Sequence, residues 1–361
     1  MTETHAQDYA LSGAGARRAE AEGRANPKWY RTKVDPAAIR ALMEKEDARP
    51  TRDALIWLGA LVMSGAAAVT LWGSWWSLPF WMAYGVLYCS ASDARWHECG
   101  HRTAFKTPWK NEVIYQIASF FLLRSPVVWR ASHVRHHTDT IIVGRDPEIQ
   151  AMRPPDLVKL LLNIFGLTDL VTHALPRYWL HLTGRVHPEE APYLRTQDYP
   201  VIFRTARIWA VLHAGVIGAA LWSGSLLPLM LVGLPRIYGA WHMWMTGVLQ
   251  HLGLAENVTD HRLNTRTVLM NPISRFLYLN MNYHIEHHMF TMVPYYNLPR
   301  LHALIAHDLP PPEPSIPAAF GKLVPVMLKQ VQQEKAVILP QLPPTAAPFG
   351  AEAEVLRPYA M

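Results

Sequence analysis

Histidine is the residue type that carries chemistry in this chain, and three short clusters hold much of its supply of 18. They are His97-Glu98-Cys99-Gly100-His101, His133-Val134-Arg135-His136-His137 and His284-Ile285-Glu286-His287-His288. On a helix, residues at i, i+3 and i+4 share a face, so each cluster is able to aim two or three imidazoles at one point. The eight imidazoles exceed the four ligands of a tetrahedral zinc, and imidazole also suits iron. A two-metal site, most economically two irons, is the expectation. An H-x-x-H-H match arises by accident in only roughly one chain in twenty of this composition, and here there are two.

The elements that must position these clusters are apolar. Asp53 and Asp93 bracket a stretch without Asp, Glu, Lys or Arg, interrupted by Gly73-Ser74-Trp75-Trp76-Ser77-Leu78-Pro79. Each half approaches the roughly 20 apolar residues that cross a bilayer, which predicts spans at 54–73 and 77–96. A second uncharged region, broken only by Arg236 and turning at Ser223-Gly224-Ser225, predicts spans at 203–222 and 226–250. The expected fold is all-α and integral to the membrane. Four transmembrane helices form two hairpins, and a cytosolic helical cap holds the histidines. A cytosolic N-terminal arm (1–53), a membrane domain (54–307) and a proline-rich C-terminal tail (308–361) divide the chain.

Charge sets the expected orientation. The turns at 73–76 and 223–225 lack Lys and Arg, whereas the arm, the 93–207 connector and the region after 251 hold every basic residue except Arg236. The positive-inside rule therefore puts both termini and all three clusters in the cytoplasm. It also accounts for the net charge of +6. No basic block with interleaved aromatics argues for nucleic acid. Cys89 and Cys99, near one helix, are expected to be free thiols in a reducing compartment. The polar stretch 1–27 has no apolar core, so it does not read as a signal peptide.

Between these landmarks, Asp35-Pro36 is an N-cap with proline at the first helical position, opening a helix to about Glu46 after a disordered start. Residues 111–123 predict a helix too short to span, and 157–175 an amphipathic helix at the membrane surface or a core helix of the cap. A helix over 318–335 precedes a loose tail. Gly100 inside the first cluster implies close approach of another element, because glycine costs a helix about 1 kcal/mol relative to alanine.

A ninth ligand is expected at His251, which closes the fourth span. Trp241, Trp244, Val248 and His251 recur at helical spacing, a candidate wall for a substrate pocket. Arg236 either binds a polar group at the far end of that pocket or snorkels to the outer interface. Glu98, Asp93, Asp139 and Glu286, with Asp146 also near the clusters, are candidates to accept the second N–H of a ligating imidazole. His5, His173, His181, His187, His213, His242, His261, His302 and His307 lack cluster context and read as ordinary.

The set HECGH, HVRHH and HIEHH around two hydrophobic hairpins resembles the membrane fatty acid desaturase superfamily, over about residues 50–307. Asn282-Tyr283-His284-Ile285-Glu286-His287-His288 followed by Pro299-Arg300-Leu301-His302 is similar to its third-box region. The resemblance implies that His97, His101, His133, His136, His137, His284, His287 and His288 bind a di-iron centre, with His251 matching an additional histidine. It implies O2-dependent hydrogen abstraction from an unactivated C–H bond, on a fatty acyl chain or other lipid. Electrons are expected from a separate carrier, ferredoxin-like or haem-containing. The superfamily also holds hydroxylases and oxidative demethylases; such an enzyme, acting on a lipid or a smaller polar substrate, is a reading that polar Asp93 and Ser90 near the His97 face favour for this chain. From outside it come an intramembrane zinc protease, with His97-Glu98-x-x-His101 as its motif and Glu98 as base, and a metal-binding transport protein.

Overall fold

Glycine and proline decide where the apolar runs of this chain stay helical. In the computed structural model, which describes residues 8–361, every named element is helical. Among the described residues the only β pairing is three isolated bridges, such as Thr267 with Tyr283. His5 and the rest of the first seven residues lie outside the described residues. The chain forms two compact units: one holds the chain through Glu44, Ala131–Val158 and Thr246–Met361, the other Lys45–Arg130 and Lys159–Met245.

The second of these units contains the apolar helices. Ala48–Thr70 and Thr196–Ser223 are long and apolar enough to cross a membrane, at mean hydropathies of 1.6 and 1.3. They match the expected spans at 54–73 and 203–222. Their outer faces are apolar and open, with Met63, Val211 and Leu221 all more than 70% exposed. Trp75, Trp76 and Trp222 at the turns are exposed too, as befits side chains at a membrane–water boundary.

The other two expected spans are not continuous helices. The 77–96 segment divides at Cys89 into Leu78–Tyr88 and Ser90–Gly100. The 226–250 segment divides into Leu227–Leu231, Pro235–Tyr238 and Trp241–His251. Gly233 sits at φ 95°, a region open to glycine, and Pro235 has no N–H to continue a helical ladder. Gly239 packs so closely on Gly85 that a Cβ there would lie 1.8 Å from the Gly85 carbonyl oxygen. Away from water, broken helices need other partners for their backbone, and side chains supply them. Tyr84 Oη donates to Leu231 O at 2.8 Å and Tyr238 Oη to Met230 O at 2.8 Å. Ser90 Oγ donates to Gly239 O and accepts from Met243 N, both at 2.7 Å. The 157–175 helix is also broken: Leu157–Phe165 and Leu167–Leu182 meet at 96° about Gly166, whose φ is 63°. Counted as one broken span, this pair raises the candidates from two to three. Among the described residues, two helices, or three elements with that pair, are thus long and apolar enough to cross a membrane, and the other two expected spans are interrupted helices.

Arg236, expected in a pocket or at an interface, is held by protein groups. It is 5% exposed, with Nη2 on Asp169 Oδ2 at 2.6 Å and Nε donating to Leu122 O at 2.8 Å. Leu122 ends the helix Pro108–Leu122, so the guanidinium ties three segments of this unit together.

The other unit is built from short helices. Asp35 caps Pro36–Leu42 as expected, its Oδ2 accepting from Ala38 N at 3.1 Å. The arm is helical over Ala14–Ala21 and the tail is not loose. Past the helix Ile316–Gln330, Val337 and Ala353 are buried with Ala255, Val258 and Leu263. Arg262, fully buried, closes this core through Asp260 at 2.7 Å and Asp308 at 3.0 Å.

Candidate metal centre

Helical spacing does what the clusters require. On Pro126–Thr138, His133 and His137 stand one turn apart with Nε2 atoms 3.0 Å apart. On His284–Met289, His284 and His288 repeat the arrangement at 3.2 Å. Within the unit of short helices, these imidazoles gather in two groups. His287 Nε2 lies 3.2 Å from His137 Nε2, so His133, His137 and His287 form one group, with nitrogens within 4.8 Å of one another. His136, His251 and His288 form another under the same limit. His284 joins the second group, with Nε2 3.2 Å from that of His251. Metal–imidazole bonds of about 2.1 Å hold adjacent ligand nitrogens roughly 3.0–3.4 Å apart, the spacing found here.

The Nδ1 side of each ring fixes what the Nε2 side offers. Glu148 Oε2 accepts from His133 Nδ1 at 2.9 Å, Asp146 Oδ2 from His136 Nδ1 at 2.8 Å, and Asn264 O from His251 Nδ1 at 2.9 Å. Thr140 Oγ1 gives its proton to His136 O at 2.7 Å and so accepts from His288 Nδ1 at 3.3 Å. Carboxylates and carbonyls only accept, so these Nδ1 atoms carry the protons and each neutral ring presents an Nε2 lone pair inward. His251 and His288 then both face His284 Nε2. One proton there serves a single neighbour, whereas a cation serves all. The donor set, all imidazole with acceptors behind it, fits a transition metal such as iron.

Burial disfavours the charged form of three of the buried rings. It pushes His251 and His261 down to about 3 and His288 well below the usual histidine value. Burial opposes the charged form of His136 as well, but the Asp146 and Glu148 carboxylates outweigh it and raise its pKa. A cation on Nε2 would take the place of that proton.

In the unit of long helices, His97 and His101 close the helix Ser90–Gly100, ring centroids 4.9 Å apart. Gly100 has the expected reason: a Cβ there would lie 2.2 Å from the Trp129 ring. His251 ends Trp241–His251 as expected, with Trp241 and Trp244 half-buried on the same helix.

Of the carboxylates expected behind the imidazoles, Asp139, Asp93 and Glu286 have other partners, and Glu98 stands near His97. Asp139 receives Arg145 Nε at 2.8 Å and Asp93 receives Arg124 at 2.7 Å. Glu98 accepts from Thr103 Oγ1 at 3.2 Å and stands 3.9 Å from His97 Nδ1. Glu286 binds His302 Nδ1 and Thr267 Oγ1. The carboxylates that do hold clustered imidazoles are Asp146, named among several, and Glu148, which was missed. Their D-x-E pattern on the loop after the second cluster was the available signal. His261, read as ordinary, is buried with its ring 5.0 Å from that of His288.

Residues 73–318 match the model of the fatty acid desaturase family. The match covers well over half of the chain and contains all nine histidines. This chain belongs to that family. Among its relatives, the acyl-lipid omega-3 desaturase (cytochrome b5) of the endoplasmic reticulum of Arabidopsis thaliana is 26% identical over 255 residues, 64% of this chain and 64% of the relative. The sn-2 acyl-lipid omega-3 desaturase (ferredoxin) of the chloroplast of Arabidopsis thaliana is 25% identical over 66% of this chain and 57% of its own length. An omega-6 fatty acid desaturase of the endoplasmic reticulum of Brassica juncea is 26% identical over 60% and 63%. The chain spans less than two thirds of the length of each, 57–64%.

Proposed function

We propose that this protein is a membrane-bound, O2-dependent oxidoreductase that introduces a double bond into a fatty acyl chain, using two irons. The observation that carries this reading is the set of inward-facing Nε2 lone pairs 3.0–3.2 Å apart in a family whose members are named desaturases. His133, His137 and His287 would hold one iron and His136, His251, His284 and His288 the other. His97 and His101 complete the nine-histidine set by their place in the first cluster.

When bound, such a centre supplies O2 activation and removal of hydrogen from an unactivated C–H bond. The protein's own groups orient and shield. Asp146, Glu148, Asn264 and Thr140 fix the tautomers of four rings, and the buried surroundings of His251 and His288 exclude water. Trp241 and Trp244 are the candidate pocket wall for an apolar chain. The electrons come from a separate carrier, consistent with the cytochrome b5 and ferredoxin in the names of two relatives. The protein crosses the membrane more than once, with termini and histidines on the cytoplasmic side.

The polar neighbours that favoured a hydroxylase are committed to protein groups, Asp93 to Arg124 and Ser90 to the backbone of residues 239 and 243. They give no support to a polar substrate. The test is metal analysis of the purified protein followed by anaerobic reduction, O2 exposure and mass spectrometry with phospholipid-linked acyl chains. About two irons per chain and a product lighter by two hydrogens are expected; one zinc, or a product heavier by one oxygen, overturns the reading.

A further inference from the structure

Trp29 joins the surface of the short-helix unit to its histidines. Its indole lies flat on the imidazole of His261, with centroids 4.1 Å apart and planes 7° from parallel. His261 is 2% exposed and its ring stands 5.0 Å from that of His288. Trp29 Nε1 donates to the carbonyl of Thr138, the residue after His137, at 2.9 Å. The segment is pinned just beyond. Tyr30 N donates to Thr259 O at 2.9 Å, and Tyr30 Oη and Thr32 Oγ1 reach Asp308 at 2.7 and 2.6 Å. Trp29 itself is partly open to solvent, and Lys28, Arg31 and Lys33 around it are exposed. Asp35, the next exposed acid along the chain, turns its carboxylate to Ala38 N as a helix cap.

We propose that Trp29 and His261 are the route by which electrons enter the metal centre, and that Lys28, Arg31 and Lys33 dock an acidic one-electron carrier protein over Trp29. The proposal rests on the iron reading above. Electronic coupling falls steeply across empty space and less across rings in contact, so a donor seated on Trp29 is coupled inward through one stack and one further ring. With iron bound, each transfer would take one electron from the carrier and reduce one ferric ion to ferrous. Two transfers supply the electron pair that O2-dependent desaturation consumes. Trp29 and His261 change neither bonds nor protons. The basic rim adds attraction that is screened by salt.

Iron-loaded protein in detergent is reduced anaerobically in a stopped-flow instrument by reduced soluble cytochrome b5, by reduced plant-type ferredoxin, and by dithionite, which is small enough to need no docking face. Trp29→Leu is expected to lower the limiting rate with the preferred carrier at least about tenfold. Trp29→Phe should lose less, and dithionite rates and iron content should not change. Lys28→Glu with Arg31→Glu should raise the carrier concentration for half-maximal rate without lowering the limiting rate. Unchanged carrier rates in both the Leu and the charge-reversed variants overturn the route. Equal losses with carrier and dithionite, or loss of iron, make Trp29 a lid and also overturn it. If the wild-type protein holds no iron, the parent reading fails instead, and metal analysis reports that separately.

Discussion

The Asp146 carboxylate, wholly shielded from solvent, lies 2.8 Å from Nδ1 of His136. It also accepts from the backbone N–H groups of Ile141 and Glu148 at 2.7 and 2.8 Å. The loop after the second cluster is thus folded around one carboxylate, and that carboxylate holds a ring in a single orientation. Glu148 does the same for His133 but is 22% exposed. Removing such groups behind a metal-binding histidine typically costs 10–100-fold in metal affinity. Asp146→Asn should weaken iron binding by about that factor in a chelator competition, and Glu148→Gln by less, because water can replace its oxygen. Equal affinities in the wild type and Asp146→Asn would show that the loop does not tune the site.

What the sequence revealed and what it hid follow from range. The clusters were legible because three and four residues along a helix are always neighbours, and Asp35-Pro36 marked its helix start for the same local reason. The partners of Asp93, Asp139 and Glu286 were not legible, since an acid beside a histidine in sequence is free to turn toward an arginine such as Arg124 or Arg145. The breaks at residues 89 and 232–234 were partly written in Gly233 and Pro235. An uncharged run reads as one span unless those residues are allowed to end it. Trp29 and His261 are 232 positions apart by number, and no spacing rule connects them.

Arg236 supports a prediction opposite to a substrate-binding role. Its guanidinium is held by Asp169 and two carbonyls, so Arg236→Gln leaves carbonyls and a carboxylate without their donor. Breaking a fully buried pair costs about 3–5 kcal/mol. Asp169 is 36% exposed, so solvent screening reduces this to roughly 1–3 kcal/mol. A lower denaturation temperature is expected, with KM for the acyl substrate unchanged in the surviving enzyme. A raised KM at unchanged thermal stability would restore the pocket reading.

Burial of His261 makes the metal-free protein sensitive to acid. Its folded-state value is about 3 against an ordinary 6.5, so below pH 6.5 the unfolded chain takes up a proton that the folded protein refuses. This group contributes no pH dependence above about pH 7 and destabilises progressively as the pH falls from 6.5 toward 3. His136 has a raised value and pulls in the opposite direction, so the measurement is a difference. His261→Phe keeps a flat ring against Trp29 and removes the titration. Between pH 7.5 and 5.5 the metal-free wild type should lose more of its urea midpoint than the variant does. Parallel curves would mean that His261 takes up its proton equally in the folded and the unfolded chain.

The two turns at 73–76 and 223–225 contain no lysine or arginine. Trp75 and Trp76 beside one turn and Trp222 beside the other are 86%, 76% and 92% exposed. Such side chains settle at the boundary between lipid and water. Both turns should therefore face the side of the membrane opposite the histidines. With Cys89 and Cys99 buried, Ser74→Cys and Ser223→Cys each introduce an accessible thiol. In intact cells an impermeant maleimide should label both, whereas a cysteine at Ser315, the N-cap of the helix Ile316–Gln330, should react only after permeabilisation. Labelling of Ser223→Cys only after permeabilisation would put the second turn on the histidine side and reverse the path of Thr196–Ser223 through the membrane.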